Sequence, residues 1–100
     1  MAPELGQLRR VDRLCMTFLE TDIQVALTSL RLAAAESSIG NVARVSELFD
    51  RAALEYKSVL KGIEDLPVEM DLERAELREQ AQRLLEAIHV TERQIQVLAG

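Results

Sequence analysis

SSIGNVARVSELFDRAALEY, residues 37–56, decides how this chain is organised. Gly40-Asn41 interrupts two long stretches of apolar periodicity, and the periodicity resumes at once. Glycine suits the left-handed backbone position that ends a helix. Asparagine suits the N-cap that begins the next one. After Asn41, apolar residues fall at Val42, Val45, Phe49, Ala52, Tyr56, Val59 and Ile63. Alternating steps of three and four place them on one helix face, and the strict alternation of a β-hairpin is missing. Leu66-Pro67 then stops this helix, because the residue before a proline disfavours the helical basin.

Working outward, residues on the C-terminal side repeat the series at Leu77, Ala81, Leu84, Ile88, Thr91, Ile95 and Leu98. Glu73, Arg74, Glu76, Arg78, Glu79, Arg83 and Glu86 lie mainly off that stripe and read as a solvated face. Glu79 and Arg83 stand in the favourable i,i+4 order. On the N-terminal side, Met16, Leu19, Ile23, Ala26, Leu30 and Ala33 form the main stripe, widened by Leu27 and Ala34 and continued by Leu8, Val11 and Cys15. Thr21-Asp22 could mark a break or a second start in this long segment. The expectation is an all-α, antiparallel, up-down-up three-helix bundle with helices at about 7–38, 41–64 and 70–98, forming a single domain over residues 1–100. No unit of 30–45 residues occurs twice, which argues against a full solenoid.

Bulk composition agrees. A 100-residue chain is one domain's worth of sequence. Apolar residues make up 48% but aromatics only 3%, so Leu, Ala, Val and Ile must do the packing. Two prolines and four glycines are too few for a many-turned β protein. The net charge of −5 repels phosphate backbones, so no nucleic-acid partner is expected. Arg9, Arg10 and Arg13 are a local basic patch that reads as a solvated helix end. Cys15 is the only cysteine, which rules out an internal disulfide, and it reads as a small reduced core residue. The stretch MAPELGQLRR lacks the apolar run of a signal sequence, and no 18-residue uncharged apolar stretch occurs. The reading is a cytoplasmic protein that does not engage a membrane.

Chemistry-bearing patterns are sparse. Glu86-Ala-Ile-His89 has the Glu-x-x-His spacing of di-iron helical bundles, but such a site needs two motifs and two further carboxylates, and this chain has one histidine. A symmetric dimer could supply a second copy, so a metal-binding dimeric bundle is a remote alternative. Glu86 and His89 lie far from the Leu84 core direction, which favours an exposed His89. Ser37, Ser38 and Ser46 have no histidine base nearby in sequence, and Ser37 and Ser38 more simply help end helix 1. A glycine-rich phosphate loop, paired-cysteine metal spacing and a dinucleotide fingerprint are all missing. Phe49 and Tyr56 read as core, the tyrosine hydroxyl at the rim. No catalytic, cofactor-binding or metal residue is assigned, no cofactor is expected, and the chain does not read as an enzyme.

The informative irregularity is in helix 1. Leu14, Phe18, Val25 and Leu32 lie about 180° from the Ile23–Leu30 stripe, with Thr21 and Thr28 between them. A helix that is apolar on two sides calls for two partners. One side can face the other helices. For the second, three answers compete: a two-fold homodimer pairing helix 1 with its mate, a partner helix laid in a groove, or simple exposure. Homodimerisation is favoured, with these four residues as the interface. Helix 3 carries a weaker line, Leu72, Val90 and Val97, which either edges the same groove or, as favoured here, is partly buried at a bundle seam. Leu54 is the main apolar residue off the helix 2 stripe.

The corner GNVARVSELFDRAALEY resembles that of tetratricopeptide repeats, whose second helix begins Gly-Asp/Asn and continues with a small residue, an aromatic and an alanine. Gly40, Asn41, Phe49 and Ala52 match in order, and Ala33 falls where a small residue is wanted. Val45 stands where that family prefers alanine, and Val42 where it prefers tyrosine. LTSLRLAAAESSIGNVARVSELFDRAALEYKSVLKGI, with AELREQAQRLLEAIHVTERQI downstream, also looks like the microtubule-interacting-and-transport domain, over residues 27–95. Leu77, Ala81, Leu84 and Ile88 would be the matching bundle positions. That resemblance implies a three-helix bundle and a non-catalytic adaptor or chaperone that binds short peptides in grooves beside helix 3. Helix 1 here runs some twenty residues further toward the N-terminus than the resemblance covers.

Overall fold

The computed structural model describes the backbone from Leu5 to Gly100 and side chains from Asp12 onward. Three α-helices follow in order: α1 (Leu5–Ser38), α2 (Val42–Glu64) and α3 (Asp71–Ala99). All three pack against one another, and no strand occurs among the described residues. The architecture is the expected three-helix bundle. It is elongated, 62 × 17 × 15 Å, as long helices joined by short corners must be. Helix α1 passes through Thr21-Asp22 without a break. Leu8, Arg9, Arg10 and Val11, which the sequence placed on the inner stripe or in the basic patch, lie outside the described side chains.

The α1–α2 corner is built by Gly40 and Asn41. Gly40 has φ +73°, the left-handed position where a side chain would be strained. Its N–H donates to the Ser37 carbonyl, and the Asn41 N–H donates to the Glu36 carbonyl, both at 3.0 Å. This crossed pair satisfies carbonyls that the end of α1 would leave without partners. Asn41 then serves both helices. Its Oδ1 accepts from the Arg44 N–H at 3.2 Å, capping α2. Its Nδ2 donates to Glu36 Oε2 at 3.1 Å, reaching back to α1. The Ser38 hydroxyl donates to the Ala35 carbonyl at 2.6 Å, helping close the last turn.

Helix α2 stops at Glu64, and Leu66 turns inward, buried, before Pro67. A short 3₁₀ turn, Val68–Met70, leads into α3. Asp71 and Glu73 sit in the first turn of α3, where the helix dipole favours negative charge.

The core is aliphatic and follows the inner stripes. Leu19, Ile23, Ala26, Leu30 and Ala33 of α1 are buried against Val45, Leu48, Ala52, Val59 and Ile63 of α2 and Leu77, Ala81, Leu84 and Ile88 of α3. Thr91 is also buried, its hydroxyl donating to the Ala87 carbonyl at 3.0 Å. Met16, Leu27, Phe49 and Tyr56 are partly buried against this core. Leu48 is buried where the sequence reading did not place it, and Val42 and Phe49 are only half-buried. The α2 core direction is rotated toward Leu48 and Val59, so one edge of the expected stripe is lifted toward solvent.

Three expectations are corrected. Cys15 is exposed rather than part of the core. It sits on the flank of α1 level with the last turn of α2, where α2 no longer covers it. Ala34 is exposed because it faces the open groove between α1 and α3. Leu72, Val90 and Val97 are exposed, not partly buried at a seam: Leu72 points away from the Leu77–Ile88 stripe, and Val90 and Val97 edge shallow depressions beside α1.

Gly62 is a point of close approach. A Cβ there would overlap the Leu19 side chain, so glycine lets α1 and α2 draw together near the end of the bundle.

Candidate functional site

Exposed large apolar residues occur singly at Leu54, Val68, Leu72, Val90 and Val97, but on the outer face of α1 they recur along one helix. Leu14, Phe18, Val25 and Leu32 retain 53%, 65%, 48% and 50% of their surface exposed. On the same helix, Ile23, Ala26 and Ala33 retain 1% or less. A 34-residue helix therefore carries two apolar faces, and the bundle uses one. Thr21 and Thr28 lie between the four anchors and are exposed too.

The structure extends this face beyond the four residues read from the sequence. Ala35 and Ile39 continue it toward the corner, both exposed, Ile39 at 75%. The signal was available, since Ile39 follows Leu32 by the same seven-residue step that separates Phe18, Val25 and Leu32. It was missed because Ile39 adjoins Gly40 and reads as part of the turn. In the structure the Ile39 N–H still bonds the Glu36 carbonyl at 3.3 Å, so Ile39 remains wound into the last turn of α1.

Two apolar depressions border this face. A notch lined by Cys15, Phe18, Leu19, Gly62, Leu66 and Pro67 lies at the α1–α2 end. On the other side, a shallow groove runs between α1 and α3, lined by Leu27, Ala34, Ala87 and Val90 with Arg31 at its edge. Gln94 borders the same groove, and its Oε1 is buried without a hydrogen-bond partner.

Ion pairing within the chain leaves the face untouched. Ion pairs among the described residues stay within single helices: Arg44–Glu47 at 3.2 Å, Arg83–Glu79 at 3.4 Å, Arg74–Asp71 at 3.8 Å and Arg51–Glu47 at 3.9 Å. None involves the outer face of α1. Glu86 and His89 are both exposed on α3, and no group of three or more metal-ligating side chains comes together among the described residues. Ser37 and Ser46 are half-buried and Ser38 is exposed. Among the described residues, no helix is long and apolar enough to cross a membrane.

No family model, no curated protein and no solved structure matches the chain.

Proposed function

We propose that this protein is a non-catalytic interaction module that self-associates through the outer face of α1. The observation that carries the reading is the run of half-exposed large apolar side chains, Leu14, Phe18, Val25 and Leu32, on the face of α1 opposite the core. Scattered exposed apolar residues are ordinary, but large apolar residues recurring on one helix face at a seven-residue step read as a contact surface. Burying it against a second copy removes apolar area at about 25 cal/mol per Å², offset in part by the cost of association. In this reading the protein works in the cytoplasm, uses no cofactor, and engages neither nucleic acid nor membrane.

The test is molar mass by light scattering over a range of protein concentrations. A rise from monomer to dimer supports the reading. A monomer at every concentration up to the millimolar range refutes it.

A second reading has its own supporting observation. The groove between α1 and α3, lined by Leu27, Ala34, Ala87 and Val90, offers a site for the apolar side chains of a short peptide. This is the adaptor role implied by the resemblance to the microtubule-interacting-and-transport domain. It leads if the free protein is monomeric.

A further inference from the structure

We infer that two copies of this chain pair through α1 in antiparallel orientation, with the two-fold axis crossing between Ala26 and Leu27. This inference rests on the self-association reading and adds its geometry. On the outer face, Phe18, Val25, Leu32 and Ile39 recur every seventh residue, and Leu14, Thr21, Thr28 and Ala35 form the companion series. All eight are exposed. The two series have the spacing of the a and d positions of a coiled-coil seam, one of each per heptad, with the a series apolar throughout.

Residue volumes select the direction. The first series is large throughout, whereas the second is small or polar after Leu14. Parallel pairing sets every residue against its own counterpart. Phe18 would meet Phe18, and Ala35 would meet Ala35, giving overfull layers beside empty ones. Antiparallel pairing sets the first series against the second. Phe18 then meets Ala35 of the second copy, Leu32 meets Thr21, and Leu14 meets Ile39 at both ends. Large facing small is how layers interdigitate at native density.

Charge selects the register. Sliding the antiparallel pair by one heptad would place Asp22 beside its own counterpart across the axis, a like-charge contact. In the proposed register Gln24 flanks Arg31 and Asp22 meets no acidic side chain of the second copy, Ser29 on the Asp22 flank being buried within its own bundle, so no like charges oppose. Parallel pairing would bring Arg31 toward Glu36 of the second copy, but an exposed pair contributes little, and the Glu36 carboxylate already accepts from Asn41 Nδ2.

The seam from Leu14 to Ile39 is about 38 Å long and a helix about 10–12 Å wide. The buried area is then on the order of 1,000 Å² over both copies, the lower edge of specific interfaces. A reversible dimer follows, not an obligate one.

The test places a nitroxide at one site per chain and measures the distance between copies by double electron–electron resonance. Cys15 is first replaced by Ser, which frees the labelling chemistry at an exposed position. Arg13→Cys and Glu20→Cys then give two exposed label sites beside the seam, not in it. The proposed register separates the Arg13 sites axially by about 40 Å and the Glu20 sites by about 20 Å. Equal distances at the two sites would mean parallel pairing and would overturn the proposal while leaving self-association intact. Axial separations of about 30 and 10 Å, after allowing for the common lateral offset, would mean the shifted register, with the same consequence. A monomeric mass for the unlabelled chain would overturn both the geometry and the self-association on which it rests.

Discussion

The two faces of α1 follow the same rule and meet different fates. On the inner face Leu19, Ile23, Ala26, Leu30 and Ala33 step by four and three, and each is buried by α2 and α3. On the outer face Leu14, Phe18, Val25 and Leu32 step by four, seven and seven, and each is about half exposed. The inner face carries two alanines, which let neighbouring helices come close. The outer face carries a phenylalanine, Phe18, that is 65% exposed. Periodicity alone therefore says that a helix has a buried side, but not how many, nor whether the covering comes from the same chain. What distinguishes the faces is the supply of partner surface. Two other helices have two inward stripes to offer, and both go to one side of α1.

The largest expected effect comes from breaking the inner face. Ile23→Ala or Leu84→Ala removes a side chain that is 1% or less exposed. Each should lower stability by about 2–5 kcal/mol, read as a shift in the urea midpoint. A change below 1 kcal/mol would mean that the bundle core is looser than described. The outer face should respond in the opposite manner. Phe18→Asp with Leu32→Asp should weaken association by about 100-fold or more, with circular dichroism showing helix content unchanged. Loss of helicity would mean that this face supports the monomer fold.

The corner between α1 and α2 gives intermediate effects. Gly40→Ala forces a Cβ into a left-handed backbone and should cost about 1–2 kcal/mol. Asn41→Ala removes the cap on α2 and the bond to Glu36, for about 1 kcal/mol. Both should lower the thermal midpoint without changing the distances between copies. The smallest effect belongs to the solvated face of α3. Removing the Glu79–Arg83 pair by Glu79→Ala should cost no more than about 0.5 kcal/mol. A larger loss would show that this face is covered by something in solution.

Most of the fold was legible because long amphipathic helices repeat their signal many times. Seven positions on α3 agreed on one direction, and five of them, Leu77, Ala81, Leu84, Ile88 and Thr91, are buried. The corner was legible because left-handed backbone and helix capping each favour few residue types. Less legible was anything that depends on rotation or end effects. Leu48 and Val42 lie on opposite edges of the α2 stripe, and only packing decides which edge turns inward. Cys15 continues the spacing of the inner stripe, but α2 ends beside it, and a helix's own sequence does not state where its neighbour stops. The outer face was half legible. Its four large residues stood out against threonines, whereas Ala35 is too small to signal by itself and Ile39 was hidden by the turn.

Three chains measured side by side by light scattering, at matched concentrations, test the central claim most directly. They are the wild type, Phe18→Asp/Leu32→Asp, and a control carrying Leu72→Asp, which removes a residue 84% exposed on α3. The account predicts a concentration-dependent dimer for the wild type and the control, and a monomer for the α1 variant. A dimer in all three would place the interface elsewhere on the molecule, and a monomer in all three would leave the outer face of α1 without the role assigned to it.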